Sequence, residues 1–193
     1  HDRELQARPA ALRWLLEQGA DAETLVEGHT VLSMLMGRGG EAAACIQTLL
    51  RHGASPGGAG TLARYLAACS DDDQAARAFE TFALDLLARG ADPFAPSPTG
   101  DPPLSLAVRL GWPRLIERLV CHGVDLDARD ARGMTALHLA AALGREGALK
   151  VLVRHGASPA ACAADGQTPL GVALSAGRRD LADWLDWRGW KLP

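Results

Sequence analysis

Three histidines stand at equivalent places in the chain, each directly before a glycine: His52, His122 and His155. Imidazole nitrogens bind zinc and carry protons, so a metal site or an acid–base site is the first chemistry to weigh. Packed helices lie about 8–10 Å apart, whereas zinc holds its ligands at about 2 Å, so histidines on neighbouring helices are too distant to share an ion. A histidine also favours a helix C-terminus. We therefore predict no metal ligand among them.

The remaining candidates for catalysis are His138 and four isolated cysteines. A catalytic histidine needs a positioned nucleophile or acid, and no cysteine or serine stands at a fixed spacing from His138. Cys45, Cys69, Cys121 and Cys162 form no C-x-x-C pair, so neither a zinc clip nor a disulfide framework is indicated. We expect reduced thiols, no catalytic residue, no cofactor and no enzymatic activity in this chain.

Two further clusters are conspicuous. Carboxylates such as Asp71-Asp72-Asp73 suit divalent cations, but three consecutive residues cannot all face one ion, so a solvated loop is predicted. Trp184, Trp187 and Trp190 crowd the end of the chain, where tryptophan could mark a partner site or a terminal cap. The cap is favoured, because Trp184 and Trp14 each stand five residues before a glycine, at opposite ends of the sequence.

Composition bounds the class of protein. The 193 residues carry a formal net charge of -3 and are 48% hydrophobic and 22% charged, which predicts a folded chain and argues against nucleic-acid binding. No apolar run approaches the roughly 18 residues of a membrane span. The start at His1 shows no signal peptide, so we expect a cytoplasmic location without membrane insertion.

The elements that carry these residues follow a repeat. Closing glycines occur at spacings of 34, 37 and then three times 33 residues, and a leucine stands four residues before every one of them. A glycine just past the last turn can adopt a left-handed conformation, so each one is predicted to end a helix. The closing glycines are Gly19, Gly53, Gly90, Gly123, Gly156 and Gly189.

A second signature marks where helices begin. It is clearest in Thr135-Ala136-Leu137-His138-Leu139-Ala140 and Thr168-Pro169-Leu170-Gly171-Val172-Ala173, where Thr can cap and Pro suits the first turn. Gly100, Gly133 and Gly166, again 33 residues apart, mark connecting hairpins. With this period and motif the sequence resembles the ankyrin repeat family, whose motif is close to T-P-L-H-x-A.

The resemblance implies an all-α solenoid of about six helix-turn-helix repeats, here called copies, joined by short β-hairpin or turn loops and forming a single domain over residues 1–193. Copy three is expected to be stretched, with seven extra residues accommodated near Ser70–Asp73, and its hairpin from Gly53 to Gly60 is three residues shorter than usual. Copy one is incomplete. The boundaries are 1–26, 27–58, 59–95, 96–128, 129–161 and 162–193, the last serving as a cap.

The resemblance implies that the chain binds proteins through a concave face, which hairpin tips and first helices form in ankyrin repeat proteins. Arg and Met are enriched at interfaces, which supports this choice, although Leu106, Leu139 and Val172 could equally be ordinary repeat apolars. Copy two offers His29, Met34 and Arg38 besides Glu27. The candidate partner-binding residues of copies four to six are Asp101, Leu106, Arg109, Leu110, Arg129, Arg132, Met134, Leu139, Leu143, Asp165, Gln167 and Val172.

Two functions remain open. The first is a monomeric, non-enzymatic scaffold that binds another protein. The alternative is a substrate-recruiting module of a larger bacterial enzyme or effector, delivered to a host cytosol, whose catalytic domain lies elsewhere; the Ala-, Arg- and Gly-rich usage hints at a bacterial source.

Overall fold

A computed structural model describes residues 9–26, 29–38, 42–58, 60–69 and 76–187. Contacts between residues divide the chain into two compact units, His1–Ser97 and Pro98–Pro193. Among the described residues nearly all regular structure is helical, as the sequence predicts.

The first unit contains five of the described helices and one hairpin. The helices are α1 (Pro9–Glu17), α2 (Val31–Met36), α3 (Ala43–Arg51), α4 (Thr61–Ala68) and α5 (Ala76–Ala88). Strands β1 (Leu25–Val26) and β2 (His29–Thr30) pair antiparallel, with Leu25 opposite Thr30. Helix α2 packs against α3 and α4, α4 packs against α5, and α1 packs against α3.

The second unit contains three helix pairs. These are α6 (Pro103–Leu110) with α7 (Pro113–Cys121), α8 (Ala136–Leu143) with α9 (Glu146–Arg154), and α10 (Pro169–Ser175) with α11 (Arg179–Trp187). The first helices α6, α8 and α10 pack in sequence, and α7 packs against α9. Each pair therefore buries its apolar face against the next pair, which is the arrangement of a helical solenoid.

The predicted helix signals lie where the helices begin and end. Pro9, Pro113 and Pro169 each occupy the first residue of a helix, where the missing N–H costs no hydrogen bond. The closing glycines at 19, 53, 90, 123 and 156 all have positive φ values, between 77° and 94°. Gly189 lies outside the described residues. The prediction that glycine ends each second helix is confirmed over the described part of the chain.

The leucine four residues before each closing glycine forms the core of its copy. Leu49, Leu86, Leu119, Leu152 and Leu185 are at most 1% exposed, because the first helix of the same copy covers them. Leu15 occupies the same place in α1 and is 50% exposed.

The extra length of copy three lies partly in a helix. Helix α5 has 13 residues, whereas α3, α7 and α9 have nine each. Part of the insertion is therefore absorbed by about one additional helical turn. The predicted acidic loop at Ser70–Asp73 lies outside the described residues.

Gly133 illustrates how closely neighbouring hairpins approach. It has φ +75°, and a methyl group added there would lie 2.6 Å from the Ala164 Cβ of the next hairpin. Both the backbone conformation and the space exclude a side chain.

We expect Gly133→Ala to lower the free energy of unfolding by about 2 kcal/mol, since it combines left-handed strain with overpacking. Gly147→Ala is the matched control, because Gly147 lies in α9 with an ordinary φ and open space around its Cα. This control should be neutral or stabilising by up to about 1 kcal/mol. Urea unfolding followed by circular dichroism measures both, and equal effects would contradict the assigned hairpin packing.

Candidate partner-binding surface

His138 joins two copies from a fully buried position. The Thr135 hydroxyl lies 2.8 Å from Nδ1, and the Thr135 backbone N–H donates to the same nitrogen at 3.3 Å. Nδ1 is thus the acceptor, which assigns the proton to Nε2, and Nε2 donates to the carbonyl oxygen of Gln167 at 2.9 Å. The ring therefore ties the start of α8 to the following hairpin, and both nitrogens are occupied by structural bonds.

The environment of His138 keeps the ring neutral. Burial lowers its pKa from 6.5 and outweighs the hydrogen bond to the Gln167 carbonyl and the nearby Asp165 charge, both of which act to raise it. A neutral ring with both nitrogens bonded has no free group to offer a substrate. The residue connects copies and does not form a site.

Asp101, Arg109 and Asp130 connect copies four and five in a similar way. Asp101 Oδ1 accepts from the backbone N–H of Ala131 at 3.2 Å. Asp130 Oδ1 accepts from the backbone N–H groups of Arg132 and Met134, both at 2.9 Å, which shapes the hairpin. The Arg109 guanidinium lies 3.7 Å from Asp101 and 3.8 Å from Asp130. These three residues, of which Asp101 and Arg109 are predicted partner-binding residues, therefore fix the position of the copy-five hairpin relative to copy four.

Another arginine, which sequence reasoning did not single out, also stabilises the contact between copies. Arg145 donates to the carbonyl oxygen of Arg109 at 3.2 Å, and its guanidinium lies against Gly111, which ends α6. A positive charge at a helix C-terminus is favourable. Arg178 lies against Gly144, at the end of α8, in the same manner. The recurrence of Arg directly after the glycine that ends a first helix was a readable sequence signal.

The structure separates the twelve predicted residues by exposure. Leu106, Leu110, Leu139 and Asp101 are buried, so these four do not lie on the open face that the sequence predicted: the three leucines are core residues of α6 and α8, and Asp101 bonds to the next hairpin. Arg109, Met134 and Val172 are half-buried. The residues that remain exposed are Arg129, Arg132, Leu143, Asp165 and Gln167.

The two arginines of the copy-five hairpin, Arg129 and Arg132, are exposed. Arg129 pairs through its backbone with Thr135 across the hairpin, and Asp130 Oδ1 holds the Arg132 backbone N–H. Neither guanidinium forms an ion pair or hydrogen bond with the described part of the chain. Leu143, at the end of the adjoining helix α8, is 41% exposed. The second unit thus presents two exposed arginines on the hairpin that precedes α8 and an exposed leucine at the last residue of that helix.

The tryptophans predicted to cap the ends lie in different settings. Trp14 is largely exposed on α1, whereas Trp184 is half-buried beside Lys150 and Arg154, where these side chains line an open groove. The side chain of Trp187 and all of Trp190 fall outside the described residues. The distinction between a cap and a partner site at this end stays a prediction.

In copy two, His29 and Met34 are exposed and Arg38 follows at the end of α2, whereas Glu27 is not among the described residues. Sequence reasoning did not single out Leu25 and Val26, which are also exposed. Two consecutive aliphatic residues in the sequence gave no sign that both face solvent.

Within the described ranges no three His, Cys, Asp or Glu side chains come together as metal ligands would. In the same ranges no helix has the length and apolar character needed to cross a membrane. The histidines before closing glycines, His52, His122 and His155, are all exposed at helix ends.

The paired helices, the left-handed glycines and the hairpin connections define a helical-repeat protein with a hairpin-lined surface. The family model described as ankyrin repeats (3 copies) matches residues 73–161 and again residues 104–186, which together cover more than half of the chain. The chain belongs to the ankyrin repeat family. A search of curated proteins found no match.

The buried state of His138 predicts a pH dependence of stability. Because the folded pKa lies below 6.5, the folded state binds fewer protons than the unfolded state as the pH falls through this range. The contribution of the neutral His138 ring to the free energy of unfolding is present above about pH 6.5 and is lost as the pH drops through the folded pKa.

We therefore expect the wild-type chain to exceed His138→Gln in unfolding free energy by about 1–3 kcal/mol at pH 7.5, and this advantage should shrink toward pH 5.5. Urea titrations at both pH values measure it. His155→Gln, at an exposed helix end, is the control and should follow the wild-type curve. A wild-type advantage that grows on acidification would show that the ring is protonated in the fold.

Proposed function

We propose that this chain is a non-enzymatic scaffold that binds another protein through the hairpins and first helices of its second unit. Ankyrin repeats are in general protein–protein interaction modules, and this family membership supports the class of function. The surface proposed for the contact consists of Arg129, Arg132, Met134, Leu143, Asp165 and Gln167, here called the copy-five surface. A free-standing scaffold and a recruiting module of a larger enzyme would use it alike.

One observation carries the choice of surface: Arg129 and Arg132 are exposed charges with no structural partner in the described chain. Their neighbour Asp130 is fully committed to the hairpin through two backbone N–H bonds and the nearby Arg109. The carboxylate therefore shapes the loop that presents the arginines and does not neutralise them at close range. Arginine is enriched where interfaces bury planar charge.

The neighbouring groups add apolar area and direction. Leu143 and the half-buried Met134 supply the apolar part of the surface. Protein interfaces commonly combine an apolar centre with a polar or charged rim. Asp165, on the hairpin of copy six, places a negative charge beside the positive pair. A partner segment with acidic residues over copy five and a basic or polar residue over copy six would be complementary.

Rigidity of the surface favours binding as well. The copy-five hairpin is closed by Asp130 N–H to Met134 O at 2.9 Å and by Gly133 N–H to Asp130 O at 2.8 Å. His138 then fixes the following hairpin through the Gln167 carbonyl. Little conformational entropy remains for the backbone to lose on association, so more of the contact energy appears as affinity.

We expect the double variant Arg129→Glu/Arg132→Glu to lose its partner, with binding weakened at least a hundredfold, while the fold survives. Proteins retained on the immobilised wild-type chain are compared with those retained on the variant, and circular dichroism reports on the fold. The control is Arg118→Glu/Arg154→Glu, which makes the same charge change at exposed positions of the second helices α7 and α9.

Retention of the same partners by the 129/132 variant would place the site elsewhere on the chain. Loss of the partners with the control but not with that variant would assign binding to the second helices. Each of these two results would overturn the proposal.

A further inference from the structure

The shortened hairpin of copy three leaves an unfilled space beside copy two. Gly53 to Gly60 spans seven residues where regular copies have ten, and Gly60 stands directly before α4. The described part of this turn contains no strand, whereas copy two has β1 and β2. The missing residues are those that form the hairpin tip in the other copies.

Neighbouring hairpins of the second unit approach one another closely. In copies five and six the approach is so close that a methyl group on Gly133 would collide with Ala164. In copies four and five the Ala131 N–H reaches Asp101 directly. A tip placed on its neighbour therefore fills the space between hairpins with backbone and small side chains.

Between copies two and three the structure has instead a cavity of about 220 Å³, here called the copy-three slot. Among the described residues that line it, the only charged group is the carboxylate of Glu23, and four of the other six residues carry hydroxyl groups. Glu23 Oε1 accepts from the Ser55 backbone N–H at 2.6 Å, while no hydrogen bond from the described residues reaches Oε2. The lining residues are Glu23, Thr30, Leu32, Ser33, Ser55, Gly58 and Thr61.

Charge in and around the slot favours a positive ligand group. The slot offers hydrogen-bond acceptors, because one Glu23 carboxylate oxygen is free and several hydroxyl oxygens line the wall. An ammonium group can donate to acceptors in many arrangements, so it suits such a lining. Arg64 is bound to the carbonyl and hydroxyl oxygens of the slot-lining Ser33 at 3.4 and 3.0 Å, and it is not itself among the residues that line the slot. The Glu23 charge therefore dominates inside the slot.

An apolar strand borders the slot. Leu25 and Val26 form β1, and their side chains are 64% and 44% exposed. Counted from the closing glycine, the place of Val26 is held in copies five and six by Asp130 and Ala163, and both of these are buried. Two aliphatic side chains in succession on an exposed strand, next to an acidic slot, form a mixed surface typical of a peptide-binding site.

We propose that the copy-three slot binds a lysine or arginine side chain from an extended segment of a partner protein. The segment replaces the missing hairpin tip, its basic side chain enters the slot toward Glu23, and an adjoining aliphatic residue covers Leu25 and Val26. This site lies in the first unit and is independent of the copy-five surface, so either can fail without the other.

A peptide selection on the full 193-residue chain tests the proposal. Random seven-residue peptides displayed on phage are selected against the immobilised protein, and the most enriched peptide is synthesised with a fluorescent label for anisotropy titrations. We expect enrichment of a basic residue next to an aliphatic one. A selection that enriches nothing, or peptides without a basic residue, overturns the proposal.

Two variants then locate the binding. Glu23→Gln keeps an oxygen for the Ser55 N–H but removes the charge, and it should weaken the peptide about tenfold or more. Glu17→Gln removes an equal charge from an exposed position of α1 and should leave the affinity unchanged. Leu25→Ser, at a largely exposed side chain, should weaken binding several-fold without unfolding the chain.

A third measurement leaves the protein untouched. Replacing the basic residue of the peptide by norleucine keeps the aliphatic stem and removes the charge, so affinity for the wild-type chain should also fall about tenfold. Equal binding of the two peptides, or of the wild-type and Glu23→Gln chains, would contradict the slot. Arg129→Glu/Arg132→Glu should bind the peptide as the wild type does, which distinguishes this site from the copy-five surface.

Discussion

The contact between successive copies is the interaction on which the rest of this structure depends. A single helix pair has an apolar face that it cannot bury by itself, so stability arises only when the next pair covers that face. Helices α6, α8 and α10 show this directly, because they pack in sequence and their residues Val108, Leu137 and Ala173 are fully buried.

The polar groups between copies do not add a second core but fix how the apolar faces meet. His138, the Asp101–Arg109–Asp130 group and Arg145 each connect one copy to a backbone group of a neighbouring copy. Hydrogen bonds of this kind specify one register between neighbouring hairpins, whereas apolar burial alone would tolerate small shifts. The exposed residues that remain, Arg129, Arg132 and Leu143 among them, are thereby held in defined positions.

Much of the fold could be predicted from the sequence because its determinants are local. Closing glycines, prolines at helix starts and the leucine four residues before each glycine act within one copy, so a period of 33 residues suffices to find them. The site was harder to predict. Whether Leu106, Leu110 and Leu139 face solvent depends on packing between copies, and no pattern within one copy separates them from Leu143.

The copy-three slot shows the same limit from the other side. The three missing hairpin residues are visible in the sequence, but the space they leave depends on the neighbouring hairpin of copy two. The regular repeats therefore indicate the fold, and the irregular ones indicate where the surface can be specific for a partner. The same backbone fold can therefore occur throughout a family, while the exposed residues differ between members and determine what each one binds.

The most direct measurement of the central claim is hydrogen–deuterium exchange on the chain alone and bound to a protein that it retains. Binding through the copy-five surface predicts slower exchange in residues 129–134 and around Leu143, with little change in α7 and α9. Protection confined to α7 and α9, with the hairpin of residues 129–134 exchanging as in the free chain, would contradict it.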